Sequence, residues 1–226
     1  MQFSSIRRAV SALGLTIVLA AAAPAWEQVH PLTGRKIASV MGVGGADWLE
    51  RSDRESEEAP AAAIKALRIQ PGMTAADIGA GTGYFTVRLA RGVGPAGKVY
   101  AVDIQPEMLT LLRRRARAEK LTNIQTVLGA VDNPHLPAAT MDLILLVDVY
   151  HEFSEPEKML DELRAALKPD GRLVLLEYRK EDPSIPIRPE HKMSVAEAKT
   201  EVEAEGFRLD KVIETLPRQH ILIFRK

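Results

Sequence analysis

Apolar positions along the chain follow two rhythms. From Pro60 onward, short unbroken apolar runs alternate with segments whose apolar residues recur every three or four positions. The runs read as buried strands: "TAADIG", "KVYAVDI", "IQTVLG", "MDLILLVDVY" and "RLVLLEY". The periodic segments between them read as helices: "AAAIKALRI", "YFTVRLARGV", "PEMLTLLRRRARAE" and "KMLDELRAALK". In the third, Pro106 suits a first helical turn, and Met108, Leu109, Leu111 and Leu112 are expected on the inner side. Ser154 with Glu157, and Ser194 with Glu197, have the spacing of capping boxes. Pro169-Asp170-Gly171 reads as one helix stop, and Gly206 as another.

Strand–helix alternation predicts an α/β fold: a doubly wound, Rossmann-like, seven-stranded sheet with helices on both faces. The last two strands, near "RLDKVIETL" and "HILIFRK", are separated only by a short turn at Pro217-Arg218. They must pair antiparallel, so the sheet is mostly parallel with the last strand reversed. Ligands in such folds sit at the carboxyl ends of the strands.

The first stretch breaks both rhythms. Arg7 and Arg8 precede an apolar run from Ala9 to Ala23, and Ala23-Pro24-Ala25 is a small-x-small pattern. This predicts a signal peptide over 1–25, cleaved after Ala25, and an exported protein, periplasmic or secreted. The run is short for a membrane span, so none is expected in the mature chain. Residues 26–57 read as an irregular arm, with Trp48 and Leu49 placed as a lid, and 58–226 as the main domain.

Composition narrows the function. The chain has 30 basic and 30 acidic residues, a neutral balance that argues against nucleic acid as a partner. "RRRAR" at 113–117 then reads as a solvated helix face. No cysteine is present, so an exported chain relies on packing without disulfides.

The candidate chemistry starts at "ADIGAGTGYF". Gly79, Gly81 and Gly83 fall where the first strand meets a helix, and backbone without Cβ atoms lets a ligand approach closely. Asp103 ends the next strand, a place from which an acid accepts hydrogen bonds from a ribose diol. A nucleoside-bearing cofactor follows. The spacing is G-x-G-x-G, and Tyr84 occupies the third-glycine position of the dinucleotide pattern, which argues against a nicotinamide cofactor.

"DIGAGTGYF" followed by "VYAVDI" resembles motif I and the acidic strand of class I S-adenosylmethionine-dependent methyltransferases. The resemblance covers about residues 58–226, and "LRIQPGMTAADIGAGTGYFT" is most similar to the quinone-biosynthesis type. It implies S-adenosylmethionine as cofactor and a small-molecule methyl acceptor. It also implies that the loop with Gly79, Ala80, Gly81, Gly83 and Tyr84 lines the methionine and ribose part. Asp77 would act through loop amides or the cofactor's amino group. Asp103 would hold the ribose hydroxyls, Ile104 would pack on adenine, and Asp132 would meet the adenine amino group. In the commoner pattern the acid directly follows a glycine. Here "GAVDNP" has Ala130 at that place and the acid two positions later.

The reacting groups are expected after the fourth strand. Asp148 is assigned to the cofactor. Tyr150, His151 and Glu152 are the catalytic candidates, with His151 as general base and Glu152 orienting or replacing it. Glu177 and Tyr178 end the next strand on the same rim. His191 and His220 can meet above the sheet, but no spacing such as H-x-x-x-H supports a metal, and none is expected.

Overall fold

The computed structural model describes residues 28–226, so the expected signal peptide over 1–25 lies outside the described residues. Seven strands form one sheet: β1 (Thr74–Ile78), β2 (Lys98–Asp103), β3 (Ile124–Leu128), β4 (Met141–Val147), β5 (Leu167–Tyr178), β6 (Arg208–Ile213) and β7 (Gln219–Arg225). Their order is β3-β2-β1-β4-β5-β7-β6, and β7 alone runs antiparallel to its neighbours. The sheet reverses its winding between β1 and β4, which opens a crevice beyond their carboxyl ends.

The apolar run in β4 explains its central place. Leu143 and Leu145 pack into one hydrophobic cluster, and Ile144 and Leu146 into a second cluster on the other face. Burial of each such side chain contributes roughly 1.5–3 kcal/mol. Around the sheet lie α1 (Ala46–Leu49), α2 (Arg54–Glu58), α3 (Pro60–Ala66), α4 (Tyr84–Val93), α5 (Pro106–Ala118), α6 (Pro156–Ala166) and α7 (Val195–Ala204). Among the described residues no helix is long and apolar enough to cross a membrane.

Several local expectations change. The capping box of Ser194 and Glu197 forms on α7. Ser154 and Glu157 form none: Glu155 is the N-cap of α6, because Pro156 sets the first helical turn one residue later than that box requires. Lys168–Gly171 do not separate helix from strand. β5 begins directly at Leu167, and a register shift against β4 absorbs the extra residues before Arg172. On α5, Leu111 is only half-buried while Ala116 joins the buried face.

Candidate active site

β1 feeds α4 through a loop whose backbone turns sharply. Gly79 and Gly81 have φ of +66° and +53°. A Cβ on Gly79 would stand 2.5 Å from Val149 Cγ2, and one on Gly81 2.9 Å from Leu49 Cδ1. Gly79 is therefore required by conformation and by space, and Gly81 by its conformation, since the tip of the Leu49 side chain can move aside. The Gly81 N–H donates to Asp103 Oδ2 at 2.8 Å, and the Gln105 N–H donates to Asp103 Oδ1 at 2.8 Å. One carboxylate thus holds the glycine loop and its own strand end. Burial pushes its pKa up, against the pull of the amides that it accepts.

Above these residues lies a cavity of about 530 Å³. Gly79, Gly81, Asp103, Ile104 and Asp148 line it, as do His151 and Glu152. The arm closes one side with Ser39, Val40, Met41, Trp48 and Leu49. Polar bonds hold the arm there. The Ala38 N–H and Arg35 Nη1 each donate to the His151 carbonyl at 3.1 Å, and Gln105 Nε2 donates to the Met41 carbonyl at 3.0 Å. Glu50 accepts from the Thr82 hydroxyl of the glycine loop and from Arg115 Nη2 at 2.7 Å. One member of the "RRRAR" run therefore ties α5 to the arm instead of only facing solvent.

Other loop residues serve the framework. Gly83, φ +87°, is the N-cap of α4, and a Cβ there would meet Leu112. Asp77 is buried beneath the loop and accepts from the Thr86 hydroxyl at 2.6 Å; burial pushes it up to about 7. Ala80 packs with Ala101 and Leu112. Tyr84 is half-buried between the guanidiniums of Arg88 and Arg54, 3.7 and 4.3 Å from its ring centre. None of these four lines the cavity. Nor does Asp132; Ala130 and Val131 of the same loop do.

The fourth strand ends in a second polar group. Asp148 has φ +53°, and its Oδ2 accepts from Gln219 Nε2 at 2.7 Å. Its Oδ1 is buried without a hydrogen-bond partner among the described residues. Burial and the nearby charges of Glu58 and Glu177 raise its pKa well above the usual carboxylate range. Beside it, the Tyr178 hydroxyl donates to Glu58 Oε1 at 2.5 Å, and Arg54 Nε donates to Glu58 Oε2 at 2.8 Å.

His151 and Glu152 stand on a 3-10 turn, Tyr150–Glu152. Glu177, wholly buried at the end of β5, accepts from His151 Nδ1 at 2.6 Å and from the Tyr150 N–H at 2.9 Å. A carboxylate only accepts, so the proton sits on Nδ1 and the lone pair on Nε2. Burial by itself lowers the imidazole's pKa, but the Glu177 charge and hydrogen bond prevail and raise it. Burial pushes Glu152 up to about 7.

A facing 3-10 turn, Pro189–His191, brings His191 Nδ1 to 3.1 Å from His151 Nε2. The Met193 N–H donates to the Tyr178 carbonyl at 2.9 Å, which anchors that segment to the end of β5. His220 does not join them. It is buried on β7, opposite Glu177 in register, and does not line the cavity. Tyr150 also departs from expectation. Its side chain is fully buried in the core, its ring 5.5 Å from that of Phe153, where no acceptor in the cavity reaches it.

The doubly wound sheet, the glycine turn and the acid one strand over define an α/β protein that binds a nucleoside-bearing cofactor. The chain belongs to the methyltransferase domain family, whose model matches residues 69–215. This membership implies S-adenosylmethionine as the cofactor. It is 30% identical over 114 residues to a demethylmenaquinone methyltransferase from Geobacillus sp. (strain WCH70), covering 50% of this chain and 49% of that one. It is 34% identical over 113 residues to a ubiquinone/menaquinone biosynthesis C-methyltransferase from Escherichia fergusonii, covering 50% and 45%. The chain spans about half the length of the curated relatives it matches. A crystal structure of a SAM-dependent methyltransferase from Aquifex aeolicus superimposes with a TM-score of 0.77 at 29% identity, covering 82% of this chain and 98% of that one.

The residues present fit that cofactor. Gly79 and Gly81 present bare backbone to the cavity wall. Asp103 uses one lone pair of each oxygen on the loop and keeps the others for a diol. Ile104, Val102 and Met108 offer an apolar wall for a purine, and the orphaned Asp148 Oδ1 suits an ammonium donor.

Proposed function

We propose that this protein is a class I S-adenosylmethionine-dependent methyltransferase acting on a small molecule with an ionisable hydroxyl, such as a quinol ring. The observation that carries the reading is the Asp103 carboxylate, bonded to the Gly81 amide at the floor of a cavity that also reaches His151. When bound, the cofactor supplies an electrophilic methyl on a sulfonium.

The chain supplies the rest. Asp103 and the glycine turn would hold the ribose, and Asp148 the amino group. Val40, Met41 and Trp48 of the arm, with Pro186 and Ile187, form apolar walls that exclude water and suit a ring-shaped acceptor. Asp103, Asp148 and Glu152 set a carboxyl-rich lining against a cationic donor. His151, Glu152 and His191 form the polar wall that faces the acceptor.

The arm acts as a lid in this proposal, supported by the place of Ser39, Val40, Met41, Trp48 and Leu49 on the cavity wall. Export is proposed as well, on Arg7-Arg8, the apolar run and Ala23-Pro24-Ala25. The mass of the mature N-terminus tests it: a chain that keeps residues 1–25 would remove this part.

The deciding experiment for the activity is calorimetric titration with S-adenosylhomocysteine and, separately, NADH. Micromolar binding of the first alone is expected. Binding of NADH alone, or of neither, would overturn the reading. With binding established, transfer of labelled methyl to a hydroxylated quinol analogue tests turnover, and its absence would leave a nucleoside-binding module.

A further inference from the structure

We propose that His151, Glu152 and His191 form a site for a divalent first-row transition-metal cation of the Zn²⁺ type, at the acceptor end of the cavity. One ligand atom from each lies within 4.8 Å of the others. His151 Nε2 stands 3.1 Å from His191 Nδ1, which stands 4.0 Å from Glu152 Oε1. A cation about 2.0–2.2 Å from each donor needs donors roughly 3–4 Å apart, so small side-chain rotations complete the set.

The support behind the donors points the same way. A metal-ligating histidine almost always gives its other N–H to a carboxylate, which fixes the tautomer and aims the lone pair. Glu177 does this for His151 at 2.6 Å, and is itself held by the Tyr150 N–H. His191 offers its Nδ1 lone pair in the tautomer with its proton on Nε2, and the exposed Arg188 guanidinium, a donor 3.4 Å from that nitrogen, must then turn away into solvent. Glu152 is half-buried and forms no other ion pair among the described residues.

Two imidazoles and one carboxylate favour Zn²⁺, Mn²⁺ or Fe²⁺ over Ca²⁺ and Mg²⁺, which prefer all-oxygen sets. Three protein ligands leave a position open towards the cavity. Cation binding stands independently of the methyl-transfer reading; what the open position does rests on that reading. There it takes an acceptor hydroxyl and lowers its pKa towards neutrality. The hydroxyl proton passes to water, and the resulting electron pair bonds to the methyl carbon. The broken carbon–sulfur bond leaves its pair on sulfur, giving a neutral thioether. No oxidant or reductant is needed.

The test is titration of the untagged, chelator-treated full chain with Co²⁺, read by its visible d–d absorption, followed by Zn²⁺ displacement. One equivalent of Co²⁺ is expected. His191→Ala and Glu152→Gln should each weaken binding at least tenfold without shifting the melting curve. Glu177→Gln should weaken it roughly 10- to 100-fold through His151. Absence of a band, or unchanged affinity in His191→Ala, would overturn the site. S-adenosylhomocysteine titration of the same samples separates the two ideas. Cofactor binding without Co²⁺ removes only the metal site; Co²⁺ binding without cofactor removes only the methyl-transfer reading.

Discussion

Asp103 and Gly81 are joined across two strand ends, the amide of one donating to the carboxylate of the other at 2.8 Å. The same carboxylate lines the cavity. It is thus a brace for the glycine turn and the polar centre of the proposed ribose site. Asp103→Ala is expected to weaken S-adenosylhomocysteine binding at least tenfold by calorimetry. It should also destabilise the fold by about 1–3 kcal/mol, because the amides of Gly81 and Gln105 lose their acceptor.

Gly79→Ala tests the glycine turn. The residue sits at φ +66° with Val149 Cγ2 2.5 Å from the added carbon. A loss of about 1–3 kcal/mol in denaturant unfolding is expected from the strained backbone. Cofactor binding should fall in parallel, since Val149 also lines the cavity. Unaltered binding in a folded variant would detach the turn from the site.

Glu58 is wholly buried and accepts from Tyr178, Arg54 and Arg51. Glu58→Ala leaves the buried Arg54 guanidinium without its carboxylate, and a loss of about 3–5 kcal/mol is expected. Arg54 and Tyr178 both line the cavity, so cofactor affinity should drop too. Chemical denaturation and calorimetry read the two effects separately.

Two buried carboxylates should respond oppositely to pH. Burial raises Asp77 from 3.8 to about 7, so the folded state holds a proton that the unfolded chain releases. Its contribution is fully present below pH 3.8 and is lost as pH rises through about 7, at no more than about 1.4 kcal/mol per pH unit. Glu58 is depressed below 4.5: burial opposes ionisation, but Arg54, Tyr178 and Arg51 outweigh it. Its contribution is present above pH 4.5 and lost as pH falls through the folded value. Unfolding midpoints of wild type and Asp77→Asn from pH 4 to 8 should converge at the acidic end and diverge as pH rises. Parallel curves would refute the Asp77 assignment.

The sequence by itself determined the strand–helix alternation, the reversed last strand and the glycine turn with Asp103 at the next strand end. These follow from local causes: apolar periodicity, backbone that only glycine adopts, and the short connection at Pro217-Arg218. It also placed His151 and Glu152 at the end of β4, since they directly follow that strand. Only the tertiary structure decided which of these residues reach the cavity. Tyr150 follows the same strand but turns into the core, and Gly83 caps α4. The partners across the site were equally hidden. His191 meets His151 from 40 residues away, Gln219 meets Asp148 from 71, and Glu58 meets Tyr178 from 120. Such pairs arise because the sheet order sets β5 beside β4 and β7 beside β5, and because the arm and the 189–191 turn fold over their ends. No local spacing encodes that approach, so the arm's hold on the glycine loop and the His151–Glu152–His191 cluster emerge only when the chain is packed.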